Sequence, residues 1–258
     1  MLCSDIMKII EATYPKHAAL EWDNVGLLVG RTQKEVKTIY IALDATDEVI
    51  ERAIESKVDL LITHHPMLFS PLKKITDEHF IGSRVVKLLQ HDISYYAMHT
   101  NYDVLGMAGL SGAILGLNEA EVLEVTDEAQ NEGIGRVGEL PKCMTLKECC
   151  ELVKDRFELS AVKVFGDLNM KIHRVAISPG SGKHMTKLAM KKGADVFVTA
   201  EIDHHEGIDS VAQGMAIIDA GHYGLEHIFV SDLARFLNEN IEGVEIVVAD
   251  RKHPFQFV

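Results

Sequence analysis

His64 and His65 are adjacent, and His99 stands four residues before Asp103. His204 and His205 are adjacent and lie close to Glu201, and His222 stands four residues before Glu226. The chain has 13 histidines, so this pairing with one another and with carboxylates is a pattern that needs a reason. Imidazole and carboxylate are the ligand types of zinc, manganese, iron and related divalent ions. Residues at i and i+4 share a helix face, so His222 and Glu226 can reach one ion if a helix begins near His222. Any one cluster alone reads as a hydrogen-bonded packing residue or a polar turn. Four clusters in one chain point to a metal site, provided the fold delivers them to one edge.

The elements preceding them make that delivery. Residues 58–63 (VDLLIT), 93–98 (ISYYAM), 194–199 (ADVFVT) and 215–220 (MAIIDA) are apolar, strand-like runs, and each ends at one of the clusters. Helical patterns separate them: Val49, Ile50, Ala53 and Ile54 at helical spacing behind an N-capping Thr46, then 81–91, then residues of GKHMTKLAMKKG and DHHEGIDSVAQG. TLKE carries a capping-box signature at Thr145 and Glu148, with an apolar stripe of Cys149, Leu152, Val153 and Phe157 behind it. A continuous helix is expected through GLEHIFVSDLARFLNE, and a last strand in EGVEIVVA. Alternating strands and helices predict an α/β fold with largely parallel or mixed sheets flanked by helices. Ligands of such sheets bind at the carboxyl ends of the strands.

The chain reads as two similar α/β halves, 1–130 and 131–258, divided near the Gly-rich stretch NEGIGRVGEL, with the last segment packing back on the first half. Asp59 and Thr63 align with Asp195 and Thr199 without a gap, and His99 with Asp103 mirrors His222 with Glu226. An internal duplication explains this, and it places the metal site in the cleft between the halves.

Composition bounds the class of function. Hydrophobic residues are 47% and charged residues 25% of 258, as in a soluble globular protein. A net charge of -13 argues against sequence-independent nucleic-acid binding and against attachment to anionic membranes. No apolar run is long enough to span a bilayer, and the N-terminal residues lack a secretory pattern, so the expected location is cytoplasmic. Cys3, Cys143, Cys149 and Cys150 form neither a zinc knuckle nor a disulfide framework.

Five stretches, EWDNVGLLVG (21–30), IALDAT (41–46), LLITHHPMLFSPLKKI (60–75), MHTNYD (98–103) and IDAGHYGLEH (218–227), span nearly the whole chain. With them the sequence resembles the GTP cyclohydrolase I type 2 homologue family, also called the NIF-three-like proteins. The resemblance implies a dinuclear centre of divalent metal (Zn, Mn, Fe, Ni or Mg), held by His64, His65, Asp103, His222 and Glu226. Asp103 and Glu226 are the natural bridges, because a carboxylate offers two oxygens. It also implies a homo-oligomer, a toroidal hexamer built from dimers. The expected activity is metal-dependent hydrolysis of a nucleotide or related small molecule, and the alternative is a non-enzymatic metal carrier or metal-dependent interaction protein.

Departures from the family pattern fall in the second half. Ala200-Glu201 replaces a glycine-aspartate pair, and SPGSGK replaces a run of glycines, while His205 matches. PGSGKH lacks Walker A spacing and reads as a strand-to-helix turn. EWDNVG, with the only tryptophan, reads as a turn before a strand. His99 is either a proton shuttle or outer partner of the centre, or a loop anchor. Glu201, His204 and His205 are candidates for the same cleft, whereas His17, His79, His91, His173, His184, His227 and His253 have no comparable setting.

Overall fold

In a computed structural model of the chain, residues 1–256 are described. The helices in chain order are α1 Cys3–Thr13, α2 Asp47–Glu55, α3 Phe80–Gln90, α4 Thr100–Tyr102, α5 Ala108–Leu115, α6 Leu146–Phe157, α7 Met185–Lys191, α8 His204–Ala212, α9 His222–Glu226 and α10 Ile228–Asn240. The strands are β1 Gly26–Val29, β2 Thr38–Ala42, β3 Leu60–Thr63, β4 Ser94–Ala97, β5 Asn118–Asp127, β6 Glu132–Thr145, β7 Lys163–Phe165, β8 Lys171–Ser181, β9 Val196–Glu201, β10 Ala216–Asp219 and β11 Glu245–Val248. They form the expected α/β architecture of two sheets flanked by helices. Two compact units result, one of Met1–Tyr102 with Phe229–Lys252, the other of Asp103–Ile228 with the segment that begins at His253. Position 130/131 lies in the turn between the paired strands β5 and β6, and Asp103 opens the second unit.

The first unit's sheet runs β1-β4-β3-β2-β11, parallel except for the antiparallel edge strand β1. Its strands are apolar on both faces, as a covered parallel sheet requires. Leu61, Tyr95 and Ala97 join Ile50 and Ala53 of α2 and Val85 and Leu88 of α3 in one core. Ile39, Ile41, Leu60, Ile62 and Tyr96 are buried on the other face. There the Tyr96 hydroxyl donates to Glu11 of α1 (3.1 Å), and Tyr14 meets Phe236 of α10 with ring centroids 5.5 Å apart. Thr46 caps α2 by accepting from Val49 N (3.2 Å), as its position predicts.

The second unit's sheet runs β5-β6-β8-β9-β10-β7, with β8, β9 and β10 parallel and the outer pairs antiparallel. Val175, Ile177, Val196, Val198 and Ile218 pack with Cys149, Val153 and Phe157 of α6. Ala176, Phe197 and Ile217 pack with Met185 and Ala189 of α7 on the other face. The capping box forms: Thr145 Oγ1 accepts from Glu148 N, and the Glu148 carboxylate accepts from Thr145 N at 2.7 Å. The stretch read as a single helix from residue 224 is two helices, α9 and α10, separated by His227 alone. Among the described residues no helix is long and apolar enough to cross a membrane, and the four cysteines are not in disulfides.

Candidate metal centre

In the first unit, three strand ends meet. β3 pairs with β4 so that Thr63 lies opposite Ala97, which sends His64 and His65 off one strand and His99 off its neighbour at the same carboxyl edge. The three imidazoles have donor atoms within 4.8 Å of one another, and their ring centroids lie 4.9 Å (His64–His65), 5.4 Å (His64–His99) and 5.7 Å (His65–His99) apart.

Each ring is oriented by its Nδ1. In His64, which is fully buried, Nδ1–H donates to the Met98 carbonyl at 2.8 Å. A carbonyl only accepts, so the tautomer follows, and the lone pair sits on Nε2. His65 Nδ1 donates to Asp44 Oδ1 at 2.7 Å, and His99 Nδ1 to Asp23 Oδ1 at 2.9 Å. An imidazole whose Nδ1–H is held by an oxygen is the arrangement that orients a metal ligand and raises its basicity.

Both aspartates come from the adjoining strands. Ala42 of β2 is opposite Thr63, so Asp44, two residues on, falls beside His65. Gly26 of β1 is opposite Ala97, which brings the loop holding Asp23 to His99. The Asp23 side chain is covered, and burial alone would raise its pKa. Hydrogen bonds from His99, from Thr100 Oγ1 (2.5 Å) and from Thr100 N (2.9 Å) outweigh it and hold the carboxyl at about 2. Below the cluster, burial pushes the Tyr95 phenol up to about 12. It therefore stays protonated, bonded to Thr63 Oγ1 (2.8 Å) and the His65 carbonyl (3.1 Å).

In the second unit the same edge carries His222, Glu226 and Glu201. Gly221, at φ 78°, turns the chain off β10 so that α9 starts at His222. One turn later Glu226 faces back, with His222 Nε2 and Glu226 Oε2 2.9 Å apart. Adjacent ligands of one ion with bonds of about 2.1 Å stand roughly 3 Å apart, so this spacing suits shared coordination. Glu226 is only 2% exposed, and a carboxylate so buried needs positive charge beside it. Room for it is made by Gly180, which lies in the last residues of β8 and not in a turn as the sequence suggested: a Cβ there would lie 3.1 Å from Glu226 Oε1. Glu201, at the end of β9, is largely exposed, with Oε1 3.4 Å from His222 Nδ1.

The second unit has two clefts, one reaching Gly221 and the other Glu201. One, of about 270 Å³, is lined mainly by Leu159, Val162, Ala220, Gly221 and Phe255. The other, of about 360 Å³, is lined by Lys163, Lys183, Glu201 and Asp219. The Lys163–Asp219 ion pair (2.6 Å) contributes to both.

Among the sequence candidates, the first unit brings together His64, His65 and His99, and the second brings together His222, Glu226 and Glu201. Asp103 begins the short π-helical turn Asp103–Met107, half-buried. His204 and His205 are exposed on the first turn of α8, their rings edge to face with centroids 5.2 Å apart. His227 and His253, which had no setting in the sequence, pack their rings against Tyr223 at 5.3 and 5.1 Å. Asp44 and Asp23 were missed as orienting residues. The signal for Asp44 was strand register, since an acid two residues beyond β2 must lie beside one two residues beyond β3.

Fold and donor set together define a class: a two-sheet α/β protein with histidine and glutamate groups that can hold a metal ion. The chain belongs to the Duf34/NIF3 (NGG1p interacting factor 3) family, which it matches over residues 1–254. It is 39% identical over 226 residues to the GTP cyclohydrolase 1 type 2 homolog of Clostridium acetobutylicum, covering 86% of this chain and 84% of that one. It is 36% identical to the homolog of Clostridium perfringens, with both chains fully covered. Among solved structures it is similar to a Staphylococcus aureus hypothetical protein, with TM-score 0.90, 30% identity, and 100% and 99% of the two chains covered. It is also similar to reduced HcgD from Methanocaldococcus jannaschii, with TM-score 0.83, 31% identity, and 97% and 98% covered.

Proposed function

We propose that His64, His65, Asp103, His222 and Glu226 together hold two divalent metal ions, and that the protein is a metal-dependent hydrolase of a nucleotide or related small molecule. The observation that carries this is the commitment of the two ligand imidazoles, His64 and His65, through Nδ1 to the Met98 carbonyl and Asp44. That is how a protein prepares imidazole nitrogen for a cation, and His99, held in the same way by Asp23, stands beside the two as an outer partner. The His222–Glu226 pair supports the reading from the second unit. The names of the Clostridium relatives support the substrate class.

Bound divalent ions supply two things: they lower the pKa of water towards neutrality, and they polarise a carbonyl or phosphoryl oxygen. The chain's own contribution is orientation. Asp44 and the Met98 carbonyl fix the His65 and His64 rings, and Gly180 admits the Glu226 carboxylate. The family description, an interacting factor, favours a second reading as a metal-dependent interaction protein.

Elemental analysis should give two ions per wild-type chain, and His65→Ala or Glu226→Ala should lose metal and turnover together. Metal-loaded protein that turns over no member of a panel of nucleotides, phosphoesters and cyclic amides would refute the hydrolase. Partner capture that a chelator abolishes would then support the second reading.

A further inference from the structure

Trp22 and Phe69 are 63% and 54% exposed, an unusual state for such large aromatic side chains. Both set an edge against one ring, that of His99, with centroids 5.8 and 5.7 Å away. The loops that carry them are fixed. Within the consecutive residues Trp22-Asp23-Asn24, Trp22 projects outward while Asp23 holds His99 and Thr100. Asn24 Nδ2 donates to the Leu68 carbonyl at 2.5 Å, next to Phe69. Leu20 N donates to Thr100 Oγ1 (2.9 Å), and Met67 N donates to the Tyr95 hydroxyl (2.9 Å). Two large rings are thus held out to solvent on hydrogen-bonded loops, beside the three imidazoles.

We propose that Trp22 and Phe69 are a stacking platform for a flat heteroaromatic ring of the substrate, which sets the ring's substituents beside His64, His65 and His99. The word substrate rests on the hydrolase reading above, whereas ring binding does not need metal. Held aromatic side chains suit this role because a ligand that stacks on them does not have to order them first. Stacking also accepts any ring with a π face, so the platform fits a heterocycle as a class. The patch suits a ring better than a protein: a stable protein interface takes about 800 Å² per partner, several times what two side chains present.

Trp22 is the only tryptophan, so its fluorescence reports on the platform in the full-length protein. Guanosine and adenosine, excited past their own absorption, should quench it saturably in both chelator-treated and zinc-loaded protein, and ribose 5-phosphate should not. Phe69→Ala, with an unchanged circular dichroism spectrum, should weaken nucleoside binding about tenfold, and calorimetry on Trp22→Leu should show a similar loss. No saturable quenching by either nucleoside overturns the platform. So does a Trp22 emission that shifts to the red on dilution, because a second copy of the chain then covers the ring. Quenching that persists in protein unable to bind metal supports the platform and removes the metal reading. Metal binding without quenching does the reverse.

Discussion

The β2-β3-β4 repeat of the first unit and the β8-β9-β10 repeat of the second share a hydrogen-bond scaffold and differ where the chemistry sits. Asp59 Oδ2 accepts from Lys37 N and Thr38 N, and Asp195 Oδ2 accepts from His173 N and Arg174 N in the same way. The Thr63 carbonyl accepts from Met98 N (2.9 Å), and the Thr199 carbonyl from Ala220 N (2.8 Å). From these anchors the equivalences follow without freedom. His64 and His65 correspond to Ala200 and Glu201, and the place of Asp44 beside His65 is taken by Ser181, which pairs with Glu201 past a bulge that follows Ser178. His99 corresponds to Gly221, one position before His222, so the sequence-level alignment of the two histidines is off by one residue. Gly221, at φ 78°, carries the chain round before α9 starts, and the histidine comes after the turn. The repeated part is the part that holds strands together. The ligand-type side chains are individual to each repeat: imidazoles at strand ends in the first, and a histidine–carboxylate pair on a short helix in the second.

The two buttressing aspartates offer the largest test of that comparison. Asp59 also pairs with Lys34 Nζ at 3.2 Å, and Lys34 is 7% exposed. Asp59→Ala therefore loses two charge-assisted hydrogen bonds and the nearer of two carboxylates beside buried Lys34, whose ammonium keeps the Asp59 and Asp92 carbonyls, an expected cost of about 3 kcal/mol. Asp195→Ala loses only the backbone bonds, about 2 kcal/mol. Urea unfolding of both variants checks the order, and equal losses would show that Lys34 does not depend on Asp59.

The turns after β4 and β10 differ in what pins them, and pH tests the first. Asp23 folds with its carboxyl near 2, below its ordinary value near 4. A depressed carboxyl stabilises the fold above the unfolded value and loses that contribution as pH falls through the folded one. About 2 kcal/mol should thus vanish between pH 4 and pH 2, and Asp23→Asn should remove that segment from the stability–pH curve. In the second repeat the turn is held instead by Gly221 N donating to Asp219 Oδ1 (3.2 Å) while Asp219 Oδ2 pairs with Lys163 (2.6 Å).

Asp44 and Gly180, each two residues past the aligned Ala42 and Ser178, have opposite tasks, one supplying a carboxylate and the other leaving space. Asp44→Ala should lower metal affinity about 10- to 100-fold with little loss of stability. Gly180→Ala meets both a φ of 80° and the Glu226 oxygen, and should cost about 1–2 kcal/mol while also weakening metal binding. Calorimetric metal titration beside thermal melts reads the two effects apart.

What was legible in the sequence was the part set by local pattern. Thr46, the Thr145–Glu148 box and the buried strands 60–63 and 196–199 all announce themselves through caps and apolar runs. The β5–β6 hairpin did not, because NEGIGRVGEL has a linker's composition. There glycine serves close strand approach: a Cβ on Gly133 would sit 1.9 Å from the Glu124 carbonyl oxygen. The histidine clusters were visible, since residue type and strand end suffice to find them. Their orienting partners were not, because Asp23 and Asp44 reach His99 and His65 only through strand register, which is decided by the tertiary fold.

The smallest expected effect lies at the helix starts of the two repeats. Thr46 caps α2 with its side chain, whereas the equivalent helix α7 begins after His184, at φ 74° and with no side-chain cap. Thr46→Ala should cost about 1 kcal/mol. His184→Gly should stabilise the protein by roughly 0.5 kcal/mol, because glycine relieves a left-handed backbone that costs a branched or bulky residue about 1 kcal/mol, offset in part by the greater freedom of the unfolded chain. Opposite signs in two melting curves would mean that the first repeat is tuned at its helix start while the second tolerates strain there. A loss of stability in His184→Gly would instead assign the histidine side chain a contact that holds the SPGSGK stretch, and with it the space that Glu226 occupies.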